Sequence, residues 1–353
     1  MVMQKPFIWD KYSDQPYPIK DKTYKKKMRK KYLWAYVPLL LSNLVMFPLT
    51  VLVMKLFKGK KVNEKAFYGM GVDLDKGKAQ KELIEELGIK HLLIRMPLWQ
   101  MDRVDEYIEF AKSFDSDKEI LLNILQDREH IEDETLLKKD IEIIFEKFGS
   151  FVSEYQVGNA VNRTKWGFFS MDEYLKWYEV IQQIRDKKYP KLKLIGSSVI
   201  DFEYHYTIRT LFNFFKVKYD TFSSLLYVDR RGAPENTQIG IFNTDNKINM
   251  LYALTKISPK TSSDIYITEV NWPLSGTKPY APTSELECVS EEDYAQYMLD
   301  YHYTALKSGK IERVYWHQLI AAGYGLVDDR NDTLRKTEAF ESYKRMIHNE
   351  NTH

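Results

Sequence analysis

From Ala66 onward the chain alternates, and this alternation constrains its fold more than any other feature. Short runs of β-branched and aromatic residues take turns with longer stretches whose apolar residues recur every three or four positions. The runs that predict strands are Phe67–Val72, His91–Met96, Ile120–Leu125, Glu154–Gly158, Leu192–Ser197, Thr221–Tyr227, Ile265–Glu269 and Val314–Leu319. Helical periodicity fills the intervals, as at Ala79–Leu87, Val104–Phe114, Glu134–Phe148, Met171–Asp186, Ile248–Ile257 and Glu291–Leu306, and a last helix is expected at Thr337–Ile347. Eight strand–helix units in roughly 290 residues predict an α/β chain folded as a (β/α)8 barrel over 66–353. An open doubly wound sheet would carry a glycine-rich phosphate turn after its first strand. Here Gly69 and Gly71 lie inside the first strand, where they give room for close packing at the barrel floor.

A different kind of segment precedes the barrel. Tyr32–Met54 runs for 23 residues without a charged side chain, and about 20 such residues cross a bilayer core as a helix. Lys25, Lys26, Lys27, Arg29, Lys30 and Lys31 precede it, and Lys58, Lys60 and Lys61 follow. The chain is thus expected to divide into a basic arm (1–31), a membrane segment (32–57), a linker (58–65) and the barrel. Positive charge is denser before the run than after it. That bias predicts a single pass of the inner or plasma membrane, with the N-terminus in the cytoplasm and the barrel outside. Pro38 and Pro48 interrupt the run and both flanks are basic, so a re-entrant segment with both ends cytoplasmic stays open.

Charge narrows the function classes. The totals nearly cancel, 52 Lys and Arg against 50 Asp and Glu. Residues 1–65 hold 15 basic against 4 acidic groups, and the rest of the chain holds 37 against 46. The positive charge belongs to the arm and the body is acidic, which argues against a nucleic-acid partner. Cys288 is the single cysteine, so no intramolecular disulfide and no CxxC site exist, and the seven histidines show no HxxxH or HExxH spacing. Neither a metal nor a cofactor is expected.

In a (β/α)8 barrel the chemistry sits where the strands end. Those ends are rich here. They offer Arg95 after strand two, Asp127 after three, and Asn159, Asn162, Arg163 and Trp166 after four. Asp201 follows strand five, Tyr227 and Asp229 follow six, Glu269 and Trp272 follow seven, and Trp316 lies on eight.

These segments resemble the clan of retaining glycoside hydrolases with (β/α)8 barrels, the cellulase-like and β-xylosidase-like families. The resemblance covers Ala66 to about Ile347. It rests on LLIRMPLW, IYITEVNWP, VYWHQL and the tail GYGLVDDRNDTLRKTEAFESY, in that order along eight units. It implies an oligo- or polysaccharide substrate with Glu269 as nucleophile. Arg95 and Tyr227 would hold Glu269 ionised, Asn159 would bind the sugar 2-hydroxyl, and Trp316 and Trp272 would stack on the sugar. Strand four departs from the clan. Its Asn-Glu signature reads Asn159-Ala160, and alanine can neither give nor take a proton. Retaining hydrolysis uses two carboxylates about 5 Å apart.

Three explanations follow. Either the acid/base was removed by substitution, or the barrel binds glycans without cleaving them, or another group, Asp127, Asp201 or Asp229, gives the proton. Asn162, Arg163 and Trp166 beside Ala160 form a specialised cluster that suits an acidic sugar or a phosphate, since arginine grips either bidentately. The expected function is a membrane-anchored glycosidase or transglycosylase acting on a cell-surface or lipid-linked polysaccharide. The alternative is a non-catalytic glycan-binding or scaffolding barrel in polysaccharide biosynthesis.

Overall fold

The structure is a computed structural model that describes residues 8–330 and 333–349. Eight parallel strands close into a barrel: β1 (Tyr68–Val72), β2 (His91–Pro97), β3 (Glu119–Leu125), β4 (Glu154–Val157), β5 (Lys193–Ile200), β6 (Thr221–Leu225), β7 (Ile265–Val270) and β8 (Arg313–Trp316). Each pairs with its sequence neighbours, and β8 pairs back onto β1. All eight expected strands are present, with ends displaced by a few residues. Of the tail motif, Asn331 and Asp332 lie outside the described residues, as do residues 1–7 of the arm and 350–353 of the barrel.

The barrel floor is a layer of inward side chains, Leu93, Leu121, Ile195, Tyr266 and Tyr315. Gly69 makes room for it. A Cβ there would lie 2.5 Å from the Tyr315 ring, closer than carbon atoms approach. Above this apolar layer the next inward positions turn polar, with Arg95, Asn123, Gln156 and Ser197 all buried. Two-residue alternation along each strand therefore converts a hydrophobic floor into a polar mouth.

The helices form the outer ring. α1 (Lys22–Lys31) and α2 (Tyr36–Val53) precede the barrel. The ring continues with α3 (Ala79–Leu87), α4 (Val104–Ser113), α5 (Arg128–Glu132), α6 (Glu134–Phe148), α7 (Met171–Lys188), α8 (Tyr204–Leu211), α9 (Thr244–Ile257), α10 (Glu291–Ser308) and α11 (Glu338–Ile347). Local chemistry sets their ends. Asp133, Ser170, Asn243 and Ser290 cap the first backbone N–H groups of α6, α7, α9 and α10. α3 and α10 stop at Gly88 and Gly309, both left-handed at φ 69° and 64°.

The apolar run forms one helix, with a 3-10 turn at Leu33–Ala35 leading into α2, and the helix continues through Pro48. The 21 residues Leu33–Val53, of mean hydropathy 1.9, are long and apolar enough to span a membrane. One face packs on the barrel. Phe47 stacks on Tyr204 with ring centroids 4.4 Å apart, and Asn43 Nδ2 donates to the His205 carbonyl at 2.9 Å.

The segment before α1 does not stand apart as an arm. Two short antiparallel strands, Trp9–Asp10 and Gln15–Pro16, form a hairpin over the barrel mouth. Trp9 packs against Trp99 and Trp166, with ring centroids 5.2 and 5.7 Å away. Gln15 donates to the Pro282 carbonyl at 3.0 Å.

Candidate active site

The mouth of the barrel holds a cavity of about 390 Å³, within the range of small-molecule sites. Glu269 lines it from the end of β7. A strict alternation counted from Tyr266 would turn Glu269 outwards. Instead Val314 and Trp316 of β8 pair with Ile267 and Val270 of β7, so three steps on β7 match two on β8. That extra residue is a β-bulge, and it re-aims the side chains that follow it.

Glu269 is buried and fully partnered. Arg95 Nη2 donates to Oε2 at 2.5 Å, Tyr227 Oη donates to Oε1 at 2.8 Å, and Asn159 Nδ2 approaches Oε2 at 3.4 Å. Burial alone would raise this carboxyl. The Arg95 charge and the hydrogen bonds from Tyr227 and Arg95 outweigh it and hold the group at about 2, below the usual 4.5. His317 borders the same cavity, but burial and Arg95 depress it to about 3, so it is neutral at neutral pH. The field that keeps Glu269 ionised comes from Arg95.

A second carboxylate shares that arginine. Arg95 Nη1 donates to Asp14 Oδ2 at 2.9 Å and to the Asp14 carbonyl at 3.1 Å, while Gln318 Nε2 donates to Oδ2 at 2.7 Å. Burial raises the Asp14 carboxyl and repulsion from Glu269 adds to it; Arg95 opposes both. Ser13, Asp14 and Gln15 therefore form a wall of the cavity. No motif in the sequence marks this wall. A short polar stretch ahead of a lysine-rich helix reads as a solvated arm.

The structure distributes the other expected residues. Trp166 and Tyr227 line the cavity, and Arg231 sits 3.6 Å above the Tyr227 ring centroid. Asn159 lies just beneath and accepts from Asn123 Nδ2 at 3.1 Å. Asn162 braces the exit of β5: its side chain donates to the Ile200 carbonyl at 3.1 Å and to Glu203 at 2.5 Å, and accepts from the Ile200 N–H at 2.9 Å. Arg163 lines the cavity but is committed, bonding Glu203 at 2.6 Å and pairing with Asp201. Its expected use as an anion grip is thereby corrected, because its charge is already met by two carboxylates. Lys165 is depressed to about 8 by burial and by Arg163, and it donates to Gln15 at 2.5 Å.

Three expectations need correction. Trp272 and Trp316 do not face the cavity. Both are fully buried and stack on each other at 5.9 Å and 21°, with their N–H groups bonded to the Gly232 carbonyl and to Tyr294. They have no open face for a sugar. Asp127 is likewise outside the cavity. It caps α5 and pairs with His130 Nδ1 at 2.9 Å, and His130 Nε2 meets Asp140 at 3.0 Å. Asp201 and Asp229 do line the cavity, together with Glu203 and Glu287.

Ala160 is fully buried in the core with φ at 46°, a left-handed value unusual for a residue with a Cβ. It is absent from the cavity wall. A glutamate placed there would meet packed side chains before it met a substrate.

Neither a protein-family model nor a curated protein sequence matches the chain. Solved structures do match in fold. The β-glucosidase of Thermotoga maritima in complex with glucoimidazole superposes with a TM-score of 0.61 at 12% identity, over 83% of this chain and 100% of that one. The complex of the same enzyme with deoxynojirimycin gives 0.60 at 12% identity over the same shares. A further structure, described as a family 1 β-glucosidase from that organism, gives 0.59, also at 12%. The chain thus shares the (β/α)8 barrel fold of these structures. At this identity the likeness is one of fold.

Proposed function

We propose that this protein is a retaining glycosidase or transglycosylase that uses Glu269 as its nucleophile on a glycan held at a membrane surface. The observation that carries the reading is the Glu269 carboxylate. It sits at the end of β7, faces a sugar-sized cavity, and is kept ionised by Arg95 and Tyr227 despite its burial. A carboxylate whose charge is held by dedicated donors at a cavity wall is the kind of perturbed group that marks a functional site. In the proposed reaction Glu269 attacks the anomeric carbon and the bond to the leaving oxygen breaks. That oxygen takes a proton, and water or an acceptor hydroxyl later displaces Glu269.

The proton needs a donor that Ala160 cannot be. Asp14 is the cavity carboxyl that burial and Glu269 push towards the protonated form, so the proposal gives it that role. A 2-fluoro glycosyl fluoride panel tests the nucleophile: covalent labelling of Glu269, seen by peptide mass spectrometry, is expected. Absence of any adduct across the panel, with no turnover of dinitrophenyl glycosides, would remove the enzymatic reading. Asp14→Asn tests the donor. Turnover of unactivated glycosides should fall about 10²–10⁴-fold while activated aryl glycosides are nearly spared; equal losses on both would assign Asp14 to binding instead.

A second reading is favoured by two observations. Asp14 already occupies Arg95, as a ligand would, and no carboxyl stands at position 160. A glycan-binding barrel in polysaccharide assembly needs neither a donor nor a vacant arginine.

A further inference from the structure

The single-pass arrangement puts residues 8–31 and the barrel on opposite sides of a bilayer. The contacts of these residues bear directly on that geometry. On the N-terminal side of α2, Asp14 is bonded to Arg95 and Gln318 inside the barrel mouth. Trp9 packs on Trp166, Tyr24 packs edge-on against Phe169, and the Tyr32 hydroxyl bonds Glu173 of α7. On its C-terminal side, Lys60 N donates to the Gly309 carbonyl at 2.7 Å, and Lys60 Nζ bonds Asp264 at 2.7 Å and Glu312 at 2.9 Å. Both ends of the helix are therefore fastened to one folded body, at its mouth and at its floor. In between, Phe47 and Asn43 hold the helix to α8.

A helix that crosses a bilayer must carry its two ends about 30 Å apart through hydrocarbon. With these contacts intact, it would drag the hydrogen-bonded flank of the barrel into the lipid, where exposed loop backbone and ion pairs are not tolerated. Yet only 11% of the apolar span is buried by protein. The outward face is a continuous stripe, with Trp34, Leu40, Leu41, Leu44, Leu52 and Leu56 all between 60% and 81% exposed. The adjoining helix α1 is KTYKKKMRKK, and all of its basic residues except the half-buried Lys25 are exposed.

We infer that α2 is an in-plane anchor. Its apolar stripe lies in the headgroup–acyl boundary of an anionic bilayer, α1 lays its lysines on the acidic headgroups, and hairpin, helix and barrel all stay on one side. α2 has no charged face of its own, because its other side is taken up by the barrel; what it offers to a bilayer surface is an exposed apolar stripe with a dense cationic segment beside it. The inference stands whether or not the cavity is catalytic.

The test uses the full chain in cells and in vesicles. Single-cysteine variants Lys11→Cys and Leu286→Cys, each with Cys288→Ser, report the hairpin and the barrel. A membrane-impermeant maleimide, applied to sealed vesicles of both orientations, is expected to label both from the same side. Labelling from opposite sides overturns the inference in favour of a crossing. Purified protein is expected to sediment with phosphatidylcholine–phosphatidylglycerol vesicles more than with phosphatidylcholine alone. Leu44→Glu with Leu52→Glu should cut that binding at least about tenfold, with an unchanged thermal melt because both sites are exposed. Retained binding in the double variant overturns the inference. So does a wild-type chain that ignores both vesicles and covers the stripe by self-association in sedimentation equilibrium.

Discussion

The charge state of Glu269 can be tested without a substrate, through the pH dependence of stability. The perturbation is Glu269→Gln, which keeps the shape of the side chain and removes its titration. In the folded protein the carboxyl is held at about 2 against the usual 4.5. That gap corresponds to about 3 kcal/mol of stabilisation of the ionised, folded form. The sign follows from the direction of the shift. A depressed carboxyl contributes its full stability above 4.5, and the contribution is lost as the pH falls from 4.5 towards 2. Between about pH 7 and about pH 3 the wild type should lose up to about 2 kcal/mol relative to Glu269→Gln. This is an upper value, because Asp14 is displaced in the opposite direction and part of its displacement comes from Glu269. The assay is chemical denaturation of both proteins across that range, comparing midpoints. A flat difference would refute the reasoning. A difference of the opposite sign would mean that burial, not Arg95, sets the carboxyl.

Two other outcomes follow from the site. Trp316→Ala should cost about 3–5 kcal/mol of stability, read as a lower melting temperature. Glycan affinity of the folded fraction should be unchanged, since Trp316 is buried against Trp272 and Tyr294. Ala160→Glu should destabilise the protein by several kcal/mol without restoring turnover, because position 160 is packed core; a gain of activity with an intact melt would show instead that the loop can open a path to the cavity.

The barrel was legible because two periodicities, two residues in strands and 3.6 in helices, are written into the order of residues. Strand ends then follow from topology, and the family resemblance singled out Arg95, Asn159 and Tyr227 among them as partners of Glu269, across as many as 174 residues. Other properties depend on geometry that no local pattern carries. The bulge in β7 that turns Glu269 inward is visible only against the register of β8. Trp272 and Trp316 look like sugar platforms in sequence, but their mutual stacking removes both from the cavity. Asp127 has the right position after β3, yet a histidine three residues later claims it.

Sequence by itself determined the eight-unit barrel, the apolar helix ahead of it, and an arginine and a glutamate at the mouth ends of two of its strands. These follow from nearest-neighbour chemistry and repeat length. Only the tertiary structure decided that the chain before that helix returns to the barrel mouth and lends Asp14 to Arg95. That contact spans 81 residues and depends on where a hairpin docks, which is a matter of packing and charge across space.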